Sequence, residues 1–499
     1  MTTSTEHAAP DTALSLRRLP AWYRAMFSAD LAERFSFYGL QAVLVLYAAA
    51  PRASGGLGLD MGDAAALFGA WIAVTFTLSL PGGWIGDRLL GARRAMLLGC
   101  VVSAAGLALL AVPAGVTGAV GLCVLAVGGG LFKPNQEAVV NLMFAGARER
   151  ESGISLMYVA TQISALGAPV LIGLLGERVN WSVAFLTCAL AVLLAGVRVA
   201  FAVRHFGEVG AAPGLPLAAE GRRRLARRTT LYVGVPVLVV VLLMATGVIG
   251  ATTLVSLAGL LCLGVSIGGY VSTYRINELT AADRRRLRAF LAVLLGTAAF
   301  WAVVAHAGSL LNLFARDHVD RSVAGFVFPA SWLQSVTPLL ILLLAPVLAV
   351  ALPRIGGRNR VAVKFSIALL LVGGGFMVMA LAVSVAATGP VSPLWLVAVY
   401  LTAACGEVVI AAVAIAATVD VLPRAYLGRM LGLFWLFSAL GAAAGSGLVR
   451  LSEVIAPAVY YLTLGGVALV AGAAFAVFRT RLTRSLAPAE GPDYPDRKE

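Results

Sequence analysis

Ionisable side chains inside apolar stretches are costly to bury and are therefore the first candidates for chemistry. Here they are few: Asp30, Glu33 and Arg34 in the stretch 26–50, Lys133 and Glu137 in 117–144, Arg198 in 181–203, His306 in 288–314 and Glu407 in 393–419. Asp30, Arg34 and Tyr38 recur every four residues and share one helical face, with Glu33 beside it. An acid, a guanidinium and a phenol on one stripe either line a polar cavity or neutralise one another and lock the helix to a neighbour. Lys133 and Glu137 are also four apart, so a self-satisfied intrahelical pair stands against a second contribution to such a cavity. With Glu33 and Arg34 they place two cations among three acids, a wall expected to present net positive chemistry. Glu407 has no cation three or four residues away, so it must take up a proton, bond a neighbouring helix, or meet a cation from elsewhere. His306 either carries protons near neutral pH or bonds across helices. Arg198 lies near the end of its stretch and is read as snorkelling to the interface.

The elements that hold these residues are set by composition. Of 499 residues 60% are hydrophobic and 12% charged, against about 25% charged in soluble proteins. That excludes a soluble globular domain and a disordered chain and makes the bilayer the solvent. Fourteen stretches approach the roughly 20 apolar residues a membrane helix needs: 26–50, 63–83, 95–113, 117–144, 153–177, 181–203, 230–248, 252–273, 288–314, 331–352, 362–386, 393–419, 427–449 and 457–478. The opening MTTSTEHAAPDTALSLRR lacks an apolar core, so no cleaved signal peptide is expected. The formal charge of +14 invites a nucleic-acid reading until the basic residues are sorted by loop. Arg17, Arg18, Arg88, Arg93, Arg94, Arg224, Arg285, Arg358 and Arg479 fall in loops on the side of the N-terminus, while Arg52, Arg178, Arg316, Arg321 and Arg450 fall on the other. This positive-inside bias places both termini in the cytoplasm and removes nucleic acid as a partner. Cys100, Cys123, Cys188, Cys262 and Cys405 sit in apolar stretches without CxxC spacing and read as small buried hydrophobes, with neither disulfide nor metal site. No GxxxxGK[ST], no HExxH and no nucleophile with a paired base occurs, so an enzyme is not expected.

Two basic loops divide the chain, one after the sixth stretch and one, INELTAADRRRLR, before the ninth. The loops DRLLGARR (87–94) and PRIGGRNR (353–360) share the order Arg, Gly, Arg, a trace of duplication. The expected fold is an all-α integral membrane protein of two six-helix bundles with two helices inserted between them, the layout of a major facilitator. The expected divisions are a cytoplasmic tail over 1–22, a first bundle over 23–204, linkers with the two inserted helices over 205–287, a second bundle over 288–480 and a tail over 481–499.

Several segments carry a family resemblance. DLAERFSFYG (30–39) resembles the ExxERFxYYG signature of the proton-dependent oligopeptide transporters, a family of the major facilitator superfamily. GGWIGDRLLGARR (82–94) resembles the superfamily loop between the second and third helices, and GGGLFKPN (128–135) the family's lysine-bearing fourth helix. FWAVVAHAGSLLNLFA (300–315), PASWLQSVTP (329–338), CGE (405–407) and GRMLGLFWL (428–436) follow in the family's order, so the similarity spans 23–480. The resemblance implies proton symport of di- or tripeptides, or peptide-like compounds, by alternating access across the bacterial inner membrane. It implies a monomer whose partners are substrate, protons and lipid, and no cofactor beyond the proton gradient. Arg34 and Lys133 would hold the substrate carboxylate and Glu407 its amino group, with Tyr38, Gln162, Trp301 and Thr337 lining the pocket. Glu33, with Asp30 and His306, would couple protons, and Asp87 and Arg88 would help hold a cytoplasmic gate.

The chain also departs from that pattern. Asp30 stands for the first glutamate, Phe37 for the first tyrosine, Gln41 for a second arginine and Phe76 for a second-helix tyrosine; Gln162 and Thr337 replace asparagines. The seventh-helix glutamate of an FEQ-like segment is Ala305, and AAV (411–413) replaces an SPV-like run. His306 is one residue from the lost acid, about 100° around a helix, and does not inherit its role. These losses make the pocket more apolar and motivate a second expectation, export or exchange of drug-like molecules on the same fold, with a non-transporting sensor as a remote third.

Overall fold

A computed structural model describes residues 19–112, 115–144, 147–214, 251–351, 354–355, 357–419, 421–423 and 426–486, with isolated positions between 216 and 246. The expected span 230–248 and most of the tails lie outside the described residues. The chain is built of helices: α1 (Ala21–Ala49), α2 (Met61–Ile85), α3 (Ala92–Leu110), α4 (Gly115–Met143), α5 (Ala147–Leu174), α6 (Trp181–Ala202), α7 (Ala251–Tyr274), α8 (Ala281–Val304), α9 (Leu310–His318), α10 (Val336–Ala351), α11 (Arg360–Ala386), α12 (Leu394–Val419), α13 (Leu427–Leu448), α14 (Pro457–Val477) and α15 (Arg479–Leu486). Among the described residues twelve helical segments are long and apolar enough to cross a membrane. α1 is 29 residues long and carries the charged stripe. Helices suit this solvent because every backbone N–H and C=O is satisfied within the segment.

The packing repeats. In the first half α1 packs on α5 and α6, α3 on α4 and α6, and α2 on α4; in the second, α8 packs on α13 and α14, α11 on α12 and α14, and α10 on α12. The halves meet where α2 lies on α13 and α5 on α10, and α7 lies against both α2 and α13 along one of these seams. Two buried apolar clusters follow the halves, and the second also takes in Val45, Leu46, Ala64 and Ala65 from α1 and α2. These four residues sit at the end of the helices remote from the chain termini, called here the far end.

The ninth expected span proves to be two helices. α8 begins at Ala281, where Thr280 and Asp283 cap each other's backbone N–H groups, and it stops at Val304. A 3-10 turn over Ala305–Gly308 follows, then α9. Gly308 sits against Phe68 of α2 so closely that a β-carbon there would overlap the ring. The cysteine expectation needs correction: Cys100, Cys188 and Cys262 are buried, but Cys123 is exposed and Cys405 half-buried. In a bilayer an apolar span can face lipid as well as core, and hydropathy does not distinguish them.

α2 and α4 cross backbone to backbone. A β-carbon on Gly82 would lie 1.9 Å from the Gly130 carbonyl oxygen, and Asn135 donates to the Gly82 carbonyl at 3.0 Å. Gly82→Ala should therefore destabilise the protein by roughly 1–3 kcal/mol through overpacking. Gly83→Ala, whose methyl would meet Pro134 at 3.4 Å, should be neutral or slightly stabilising because alanine is the better helix former. Thermal unfolding of the two variants in detergent tests this; equal midpoints would contradict the close crossing.

Candidate functional site

The charged residues of α1 meet those of α4 and α5 in the first half. Arg34 donates twice to its neighbour Glu33, Nε to Oε2 at 2.6 Å and Nη2 to Oε1 at 2.8 Å, and its guanidinium lies 4.7 Å from the Phe37 ring centroid. One turn earlier Asp30, 1% exposed, accepts from Lys133 Nζ of α4 at 3.0 Å and from Thr161 Oγ1 of α5 at 3.5 Å. Lys133 also donates to Gln136 Oε1 at 3.1 Å. The intrahelical ion pair is present too, with Glu137 3.8 Å from Lys133 and its side chain 56% exposed, but the closer and buried pair is the one between helices. This also corrects the expected charge of the wall: Glu33 with Arg34 and Asp30 with Lys133 form two neutralised pairs rather than a net positive face.

α12 brings Glu407 to the same region. It lies within electrostatic reach of Tyr38 on α1 and Tyr158 on α5, and among the described residues no hydrogen bond or ion pair engages it. Next to it, Gly406 lets α12 approach Phe300 of α8 and the backbone of α11 at Ala368. Gln162 lies one turn from Tyr158 on α5, so a phenol that sequence reasoning did not place in the site comes within electrostatic reach of Glu407; its position four residues before Gln162 was the available signal. Trp301 is half-buried, edge-on to Phe300 at 5.7 Å, and Thr337 opens α10 half-buried.

His306 is not part of this cluster. It is fully buried in the second half, where Nδ1 faces the carbonyls of Ala302 at 2.9 Å and Val303 at 3.2 Å and Nε2 lies 2.7 Å from Tyr460 Oη. Two carbonyls at Nδ1 assign the proton to that nitrogen, so Nε2 accepts from Tyr460. The ring thereby closes the end of α8 and ties it to α14. Asp87 is exposed and Arg88 half-buried, and among the described residues neither is held by a protein partner. Arg93 instead fastens that loop, donating to the carbonyls of Val209 and Gly207 beyond α6.

The polar ties between the halves gather at the far end, and no residue pattern announces them. Asn312 of α9 and Gln334 both donate to the Ala42 carbonyl of α1, at 2.8 and 3.1 Å. Glu177 accepts from the backbone N–H groups of Ala330 and Ser331 and from the Ser331 hydroxyl. Ser335 donates to the Leu166 carbonyl, Trp332 to that of Val170 and Arg178 to that of Val327. Arg450 pairs with Asp63 at 2.9 Å, and Glu453 accepts from the Gly62 N–H. The far end is closed by contacts from α1, α2 and α5.

Comparison with known proteins gives a consistent picture. The profile of the POT family (PTR2) matches residues 93–462. The chain is similar to the peptide transporter YePEPT of Yersinia enterocolitica, 32% identical over 442 residues and covering 85% of this chain and 86% of that one. It is 26% identical to a di-/tripeptide transporter of Lactococcus lactis over 465 residues, 91% of this chain and 94% of the other. A crystal structure of a mutant peptide transporter POT in complex with alafosfalin superposes with a TM-score of 0.87 at 30% identity, covering 97% of this chain and 98% of that one.

The geometry around Lys133 makes a prediction. Asp30→Asn leaves the ammonium without its nearest counter-ion and should cost roughly 1–3 kcal/mol, whereas Glu137→Gln should stay within about 0.5 kcal/mol of the parent. Thermal unfolding of both variants distinguishes the two pairings, and the reverse order would restore the intrahelical one.

Proposed function

The chain belongs to the POT family, and we propose that it imports di- or tripeptides, or peptide-like compounds, by proton symport through alternating access. The observation that carries this is the arrangement of charge: two cations on α1 and α4, each held by a carboxylate, and across the seam on α12 a carboxylate that no described cation meets. A zwitterion needs that polarity. Arg34 and Lys133 would receive the substrate carboxylate and Glu407 the amino group, with Tyr38, Tyr158, Gln162, Trp301 and Thr337 shaping the space between. Among the described residues no group of three or more His, Cys, Asp or Glu is placed to bind a metal, and the reading invokes no cofactor.

The pairing supplies a coupling logic. While Glu33 is ionised it occupies both donor edges of Arg34, so a substrate carboxylate must displace it. A proton on Glu33 removes the competing charge, and proton and peptide then bind with mutual benefit, as linkage requires. Asp30 holds Lys133 by the same rule and is the second proton candidate. His306, with both ring nitrogens engaged, serves as a tie between α8 and α14 in this reading and is left out of the proton path.

We read the closed far end as the extracellular gate, with both termini and the basic loops in the cytoplasm, as the positive-inside bias supports, and the protein as a monomer in the inner membrane. The two bundles, 23–204 and 288–480, would rock about the seams where α2 meets α13 and α5 meets α10. Exposed Asp87 and half-buried Arg88 would engage only when the cytoplasmic end closes. Export of drug-like molecules has no observation in its favour, since the relatives named above are peptide transporters.

Uptake of a labelled peptide library into proteoliposomes under an inward proton gradient tests the proposal, and flux indifferent to the gradient would reject it. Within that assay Glu407→Gln should weaken free-amine peptides about tenfold or more, the loss of one charge-assisted contact, and leave N-acetylated peptides nearly unchanged. Equal loss for both would remove the amine role of Glu407.

A further inference from the structure

Beside Glu33, inside the first bundle, lies a small cavity of about 20 Å³ between α1, α2, α3, α4 and α6. Its wall includes Glu33, Ser36, Trp71, Thr75 and Ser103, and Glu33 is the one charged residue of the lining. These side chains are not spent on one another. The Ser36 and Ser103 hydroxyls, on residues 5% and 4% exposed, bond no described protein group, and the indole N–H of Trp71, 4% exposed, has no acceptor. Thr75 donates to the Trp71 carbonyl at 2.8 Å and keeps its acceptor capacity. A cavity holds a water when it offers at least about 10–15 Å³ and two to four polar partners. This one meets both conditions, and a dry cavity would leave several buried polar groups unpaired at a cost in stability.

We propose that this cavity is a binding site for one water molecule that hands a proton to Glu33 from inside the first bundle. This rests on the reading of Glu33 as a proton carrier. The step balances simply: the water, carrying the proton as hydronium, donates it to a carboxylate oxygen of Glu33 and remains as neutral water. The new O–H then points at that water while Arg34 is released toward the substrate. The Trp71 N–H donates to the water and the Ser36 and Ser103 hydroxyls accept from it, which leaves one lone pair for the Glu33 O–H, and no other ionised side chain lines the site from α2, α3, α4 or α6. On its own helix Glu33 is faced by Arg34, with Asp30 one turn away. The water thus gives the protonated carboxyl a hydrogen-bond acceptor that the apolar interior lacks, without which the released guanidinium could not be exchanged for a proton at low cost.

Ser103 provides the test, because valine and threonine have nearly the same volume and differ by the hydroxyl. In reconstituted full-length protein, Ser103→Val should lower proton-driven peptide accumulation about tenfold, the worth of one buried hydrogen bond, while peptide exchange without a gradient stays at the parental rate. Ser103→Thr should accumulate peptide like the parent. Equal impairment of both variants, or of neither, overturns the water site. Glu33→Gln is the comparator: if it accumulates peptide normally, the assignment of Glu33 as proton carrier fails instead. If Glu33→Gln loses accumulation while Ser103→Val does not, Glu33 stands and the water is rejected. A parental thermal-unfolding midpoint and size-exclusion profile in detergent show that each variant is folded.

Discussion

An ionised group in a bilayer is tolerated only when its charge is answered close by, and this constraint organises the first half of the molecule. Arg34 answers Glu33 within one helix; Lys133 answers Asp30 between two, with Thr161 of a third helix adding its hydroxyl. Every other functional placement follows from these pairs. α1 must lie against α4 and α5 to make them, and the glycines of α2 and α4 let the backbones close around that contact. Arg34 and Lys133 thus each rest against a carboxylate, and in the proposed cycle a peptide carboxylate takes that place once a proton has freed it.

How far this could be read from the sequence depends on the range of each interaction. The apolar stretches and the α1 stripe are local and were legible, since a period of 3.6 and a run of about 20 apolar residues are properties of neighbours in the chain. The partner of Lys133 was not. Spacing offered Glu137 four residues on, which is in ion-pair range at 3.8 Å, whereas the hydrogen bond goes to Asp30, 103 residues away, and only packing reveals it. The break after α8 was hidden because the stretch 288–314 remains apolar through it, and apolarity reports the solvent rather than the path of the backbone. The far-end ties were illegible for another reason: their acceptors at Ala42, Leu166, Val170 and Val327 are main-chain carbonyls, which every residue possesses.

His306 shows how one residue type can point to two roles until its neighbours are known. Histidine invites a titrating role. In place, Nδ1 is spent on the carbonyls of its own helix and Nε2 on Tyr460, with Phe376 edge-on at 5.2 Å. The loss of acid at Ala305 is therefore not repaired from the next position. The second half brings Glu407 as the carboxylate within reach of Tyr38 and Tyr158, and the proton chemistry of this reading falls on the first half.

The Ala42 carbonyl takes bonds from Asn312 and Gln334, which belong to separate segments, α9 and the 3-10 turn before α10. The same oxygen also closes the α1 helix by accepting from the Leu46 N–H, so three donors converge on it. A slide of α1 therefore loosens its hold on α9 and on the turn before α10 together, because both depend on one position of one carbonyl. The ties that α2 and α5 make to the second half are anchored elsewhere and are not drawn along by that slide. If the far end is the gate of the proposed cycle, its α1 side would part as one unit.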